Sequence, residues 1–267
     1  MSTNASVHGR QAAAAALLLT LLATSPARAQ GAKPLTKPGR APTTIVLVHG
    51  AWADGSSWDK VVPLLLAKGY DVVAVHNPLS SLADDVATVK RIIHAQPGDV
   101  LLVGHSYGGI VITEAGTEDK VKGLVYVAAF GLDVNESMTG LGKGQPPPPW
   151  QKELKVDEGG FSWLTPKGVR EDFAQDLSAA DQKLVAAKEG WTSVKVFDAQ
   201  PRVAAWKTKP SWYIRAAQDR MIPPPAEEMM AKRMKAKLTS LDASHVVMLS
   251  KPKEVAAVIL EAAKSSD

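Results

Sequence analysis

The sequence predicts an α/β fold, a mostly parallel sheet with helices on both faces and an inserted cap. Short continuous apolar runs alternate with amphipathic segments, first from Thr44 to Ala129 and again from Pro210 onward. Runs without polar alternation belong to strands buried on both faces, which is how a parallel sheet covered by helices reads. Between the two stretches the alternation stops, and residues 132–209 gather a proline run and much of the aromatic content. A length of 267 residues with 45% hydrophobic and 22% charged content is enough for one large domain of this kind.

In chain order, residues 1–29 stand outside this pattern. Arg10 precedes an apolar run, Ala12 to Leu22, broken only by Thr20, and Ser25, Pro26 and Ala27-Arg28-Ala29 follow. A charged start, a short apolar core and a small-residue exit describe a secretory signal peptide. The run is shorter than the roughly 20 residues of a membrane span. The expectation is export to the periplasm or medium after cleavage near Ala29, with no stable membrane insertion afterwards. Residues 30–43, rich in Pro and Lys, read as a flexible leader.

Thr44 to Val48 reads as the first strand. Trp58 to Ala67 reads as a helix that buries Trp58, Val61, Val62, Leu65 and Leu66, with Gly69 as its stop signal. Asp71 to Val75 is a strand, Leu82 to His94 a helix, and Asp99 to Val103 a third strand. Val121 to Ala129, Pro210 to Ala216 and Leu238 to Leu241 complete the set, the last two each followed by a helix. Residues 44–131 and 210–267 thus form the core, and 132–209 the cap. Within the cap, Gln145 to Trp150 holds four prolines and is expected to be neither helix nor central strand.

The third strand runs into Gly104-His105-Ser106-Tyr107-Gly108, a G-x-S-x-G. A strand that turns sharply into a helix at a serine strains that residue and lifts its Oγ clear of the sheet, so small neighbours are needed. Ser106 is therefore the candidate nucleophile. A serine hydroxyl needs a base, and the base needs a third group to fix its tautomer. With this elbow the chain order is serine, acid, histidine. His245 is the one histidine downstream, in a small-residue loop after the last strand. The candidate acid is Asp219, after the strand ending at Ala216. Asp242, three residues before His245, is its rival, and Asp198 in the cap is weaker.

The oxyanion formed on attack needs two N–H donors. Tyr107, after the nucleophile, should give one, and Ala51 in His49-Gly50-Ala51-Trp52 the other, with Trp52 N–H as fallback. Trp52 is also placed in the substrate pocket. His49 is read as a brace for its loop, His105 as turned away from the reaction, and His76 and His94 as structural or surface residues. No metal and no organic cofactor is required. Removing residues 1–29 takes away Arg10 and Arg28 and no acid, which lowers the formal charge from +4 to +2. So small and evenly spread a charge does not argue for nucleic acid as a partner. The absence of cysteine excludes a thiolate metal site and a cysteine nucleophile.

These motifs resemble the α/β-hydrolase superfamily, in the branch of plant methylesterases, hydroxynitrile lyases and their bacterial esterase-like relatives. The matching pieces are Ile45 to Trp58, Gly104 to Gly109, Tyr213 to Pro224 and Ala243 to Pro252. The resemblance implies an α/β-hydrolase fold over about Thr44 to Leu260 and hydrolysis of a small-molecule carboxylic ester through an acyl-enzyme. Lyases of this branch carry a threonine after the first-strand histidine and a lysine after the catalytic histidine. Here those positions are Gly50 and Val246, which favours ester hydrolysis over cyanohydrin cleavage. Lactone opening, perhydrolysis, a cofactor-free lyase reaction, or ligand binding without turnover remain open at this point.

Overall fold

The computed structural model describes residues 43–266; the predicted signal peptide and nearly all of the predicted leader lie outside the described residues. Strand β1 (Thr44–Val48) is buried at all five positions. The stretch predicted as one helix from Trp58 to Ala67 is instead a 3-10 turn, Gly55–Trp58, followed by a short helix α1 (Val62–Leu66). Two local effects divide it. Asp54 Oδ1 accepts the Ser56 N–H at 2.8 Å and tightens the first turn. Pro63 has no N–H to give and fits only at the opening of a helix. Trp58, Val61 and Leu65 are fully buried, whereas Leu66, predicted on the same face, is 52% exposed.

β2 (Asp71–Ala74) leads to α2 (Leu82–Ala95), where the Ser81 hydroxyl accepts the Asp84 N–H at the amino terminus. Leu82, Val86, Val89 and Ile93 form its buried stripe, at the spacing of one helical face. β3 (Val100–Ser106) extends three residues beyond the predicted strand, through the serine itself, and α3 (Gly108–Ala115) follows directly. β4 (Val121–Ala129) opens into residues 132–209. That stretch contains a three-stranded antiparallel sheet of β5 (Leu154–Val156), β6 (Phe161–Leu164) and β7 (Thr192–Ser193). Between β6 and β7 lie a π-helical turn, Val169–Phe173, and α4 (Ala179–Ala187). The proline run corrects one expectation: Pro149 and Trp150 open a 3-10 helix, Pro149–Glu153, because a first-turn N–H is not needed for the helix bonds.

The chain then returns through β8 (Ser211–Ala216), α5 (Pro224–Arg233), β9 (Lys237–Leu241) and the terminal helix α6 (Pro252–Ser266). The six main strands stand in the order β2-β1-β3-β4-β8-β9, and every pairing is parallel. The central strands β1 and β3 are buried at every residue, so both faces are covered, while edge strand β9 is exposed or half-buried at every position. The order of the sheet reverses between β1 and β3. Such a switch point opens a crevice at the carboxyl ends of the strands, where ligands bind in open α/β sheets. Among the described residues no helix is long and apolar enough to cross a membrane.

Candidate active site

The loops that carry the predicted groups follow β1, β3, β8 and β9, all at the carboxyl edge of one parallel sheet. Ser106 ends β3 with φ of 52°, in the left-handed region. For a residue other than glycine this costs on the order of 1–3 kcal/mol, which the surrounding structure must supply. The turn closes because its neighbours lack side chains. A Cβ on Gly104 would lie 2.6 Å from Gly108 O, and one on Gly108 would lie 2.6 Å from Val48 O.

Asp219 and His245 come together from different loops. Asp219 Oδ2 accepts a hydrogen bond from His245 Nδ1 at 2.6 Å, and Oδ1 accepts the N–H groups of Met221 and Ile222 at 2.7 and 2.9 Å. Three donors fix the carboxylate, and with Nδ1 as donor the neutral ring keeps Nε2 as an acceptor. Both side chains are sealed from solvent, at 0% and 1% exposure. Asp242 is exposed and accepts from Gln218 Nε2 at 3.0 Å instead. Asp198 lies on the surface at the end of a short helix.

His105 joins the elbow to the histidine loop. Its Nε2–H donates to His245 O at 3.0 Å, with the two rings 4.7 Å apart. Burial, with His245 close by, holds His105 well below the usual imidazole range, so its ring is neutral. His49 is likewise lowered by burial. It accepts the Asn77 N–H on Nε2 at 2.9 Å, which leaves Nδ1–H to donate to Gly50 O at 2.9 Å. His49 thus braces its loop.

The two donors predicted to face the oxyanion differ from the fallback. Ala51 N–H and Tyr107 N–H have no hydrogen-bond partner among the described residues. Trp52 N–H donates to Thr192 Oγ1 at 2.9 Å, and Trp52 Nε1 to Ser162 Oγ at 3.1 Å. Both N–H groups of Trp52 therefore tie the β1 loop to the small antiparallel sheet. Its ring meets Trp150 and Phe197, each 5.5 Å away, and lines a cavity of about 170 Å³. Phe173, Leu177, Leu184, Val185 and Val246 line the same cavity, and Phe173 packs its ring 5.2 Å from that of His245. Asp54, Asp59, Lys60, Asp181 and Lys188 bring polar groups to the lining.

Several participants have no signal in the sequence. Tyr107 OH donates to Asp85 Oδ2 at 2.7 Å, and Asp85 Oδ1 accepts the Leu79 N–H at 2.9 Å. Burial raises Asp85 to about 6 despite these two bonds. Asp84-Asp85 reads as a pair of acids in the first turn of a helix, and nothing in the pattern says that the second points inward. Asp176 Oδ2 holds the Ser244 N–H at 2.8 Å, a contact across 68 residues that spacing does not reveal. No cluster of His, Cys, Asp and Glu among the described residues is arranged to hold a metal ion.

The alpha/beta hydrolase family model matches residues 45–258. The pyrethroid hydrolase of Sphingobium wenxiniae is 30% identical over 250 residues, covering 82% of this chain and 87% of that protein. Methylesterase 2 of Arabidopsis thaliana is 35% identical over 108 residues, which span 34% of this chain and 41% of the plant protein. The crystal structure of a pyrethroid hydrolase from Sphingobium faniae superposes with a TM-score of 0.74 at 27% identity, covering 84% of this chain and 98% of that one. With a strained serine elbow at the sheet's switch point and a family match over nearly all of the described residues, the chain belongs to the alpha/beta hydrolase family.

Proposed function

We propose that this protein hydrolyses carboxylic esters through an acyl-enzyme on Ser106. The observation that carries the reading is the buried 2.6 Å bond between Asp219 and His245, beside an elbow that holds Ser106 at positive φ. His245, oriented by Asp219, takes the Ser106 hydroxyl proton as Oγ attacks the ester carbonyl. The oxyanion is stabilised by Ala51 N–H and Tyr107 N–H, the donors with no partner among the described residues. His245 returns the proton to the departing alcohol, and water then releases the acid by the same steps.

The cavity is not lined by Ser106 or His245 but adjoins them through Trp52, Phe173 and Val246, and these apolar residues support an apolar acyl or alcohol group of small to medium size. Its volume of about 170 Å³ is below the roughly 300 Å³ at which drug-sized pockets begin. The names of the Sphingobium and Arabidopsis relatives agree with ester chemistry in this family. Residues 132–209 act as the cap over this pocket, a role supported by the bonds that Trp52 donates to Thr192 Oγ1 and Ser162 Oγ. Hydrolysis of p-nitrophenyl esters from acetate to decanoate, by the protein and by Ser106→Ala, tests the reading. Turnover that peaks at short to medium chains and vanishes in the variant is expected. Undiminished turnover in Ser106→Ala removes the serine mechanism.

The pattern of Arg10, Ala12 to Leu22 and Ala27-Arg28-Ala29 supports export with cleavage near Ala29. Mass spectrometry of exported protein is expected to give a start near Gln30, and a retained Met1 overturns this.

A further inference from the structure

Glu227 lies on α5 with 0% exposure, in contact with the carboxylate of Asp219. Its Oε2 accepts the N–H of Ala216, the last residue of β8, at 3.2 Å. Its Oε1 is buried and meets no N–H or O–H donor among the described residues. Two carboxyl groups packed together without a cation between them cannot both be ionised. Asp219 has His245 Nδ1–H and two backbone N–H groups to support its charge, whereas Glu227 has one N–H on a single oxygen. The proton therefore belongs on Glu227.

We infer that Glu227 keeps its carboxyl proton and donates it to the Asp219 carboxylate, serving as a positioning residue for the acid that orients His245. This rests on the assignment of Asp219 and His245 made above. Burial, and next the Asp219 charge, push the Glu227 carboxyl well above the usual carboxylate range. Among the described residues, the other titratable groups facing Glu227 are Arg215, whose charge works in the opposite direction, and Tyr213. This fourth donor adds to the three from His245 Nδ1, Met221 and Ile222 and resists rotation of the carboxylate away from His245. A neutral Glu227 also spares the site a second buried negative charge.

The test compares Glu227→Gln and Glu227→Met with Asp219→Asn as the reference. An amide offers an oxygen to Ala216 N–H and an N–H to Asp219, so Glu227→Gln is expected to keep kcat within about threefold. Glu227→Met fills a similar volume with no donor, and kcat is expected to fall about 10- to 100-fold, as for other outer partners of reacting groups, with KM little changed. The wild-type rate should decline at alkaline pH as the Glu227 proton is lost, while Glu227→Gln holds its plateau. Infrared difference spectra of wild type minus Glu227→Gln at neutral pH should show the carbonyl stretch of a protonated carboxylic acid, a readout that does not depend on turnover. A difference spectrum with only carboxylate bands, or a Glu227→Met rate equal to wild type while Asp219→Asn is severely impaired, overturns the inference alone. Full activity in Asp219→Asn overturns it together with the triad assignment.

Discussion

A methyl group added at residue 50 tests the oxyanion assignment at one atom. The Cβ of Gly50→Ala would stand 2.7 Å from Ser106 Cβ, 3.1 Å from His105 O and 3.2 Å from His105 Nδ1. Ordinary contact begins at 3.4 Å, so the β1 loop and the elbow must separate by about 0.7 Å. The elbow side has little room to yield, since His105 is held by its bond to His245 O and Gly108 is packed against Val48 O. The retreat therefore falls on the loop and carries Ala51 N–H with it. An oxyanion donor works within a window of about 2.7–3.1 Å, and losing one costs about 2.7–4 kcal/mol, or roughly 10²–10³ in kcat. KM should change little, because the bond strengthens only in the transition state. Overpacking is expected to cost about 1–3 kcal/mol of stability. Steady-state hydrolysis of p-nitrophenyl butyrate, with thermal unfolding in parallel, reads both quantities. A folded Gly50→Ala enzyme with wild-type kcat would refute the argument and move the second donor away from Ala51.

Asp219→Asn is expected to lower kcat about 10³–10⁴-fold by reversing the hydrogen bond that fixes the His245 tautomer. Asp242→Asn should change kcat by less than about threefold, since its bond to Gln218 Nε2 is at the surface; the opposite ranking in initial-rate assays would name Asp242 as the acid. Tyr107→Phe leaves Asp85 Oδ2 without its donor and should destabilise the fold by about 1–3 kcal/mol in urea unfolding. Asp85 is raised by burial to about 6, so its protonated form favours the folded state. Its contribution is complete below the unfolded carboxylate value and is lost as pH rises through about 6, and Asp85→Asn should flatten that decline. Glu189, raised to about 8 by burial, accepts the Leu164 N–H at the end of β6. Its contribution to stability is lost as pH rises through about 8, so melting temperatures between pH 7 and 9 should fall less in Glu189→Gln than in the wild type.

The contrast between Ser106 and Glu227 shows what kind of information each level holds. Ser106 is legible in the sequence because the elbow is a local device, in which the strand, the strained residue and the two glycines are covalent neighbours. The core strands are legible for the same reason: burial on both faces leaves an unbroken apolar run at β1 and β3. The helix predicted from Trp58 to Ala67 fails where a side-chain cap at Asp54 and the missing N–H of Pro63 outweigh an apolar period. Chain order and strand-end position favoured Asp219 over Asp242 without excluding either. The fold separates them, because the β8 loop turns one carboxylate toward His245 while the other faces water.

The same holds for the donors and for the outer partners. Along the chain Ala51 is preferred as N–H donor with Trp52 as fallback, and the structure separates them through Thr192, 140 residues from Trp52, which takes the Trp52 N–H for itself. Glu227 and Glu228 are adjacent acids on one helix; the first is fully buried and the second pairs with Arg215 at the surface. By itself the sequence determined the alternation of strands and helices, the strained elbow and the residue types able to carry acyl transfer, because each depends on neighbours within a few residues. Only the tertiary structure decided which carboxylate meets His245, which N–H groups stay unpaired and which glutamate lies against Asp219. Those choices depend on contacts between segments far apart in the chain, where hydrogen-bond geometry and desolvation act and local pattern carries no record of them.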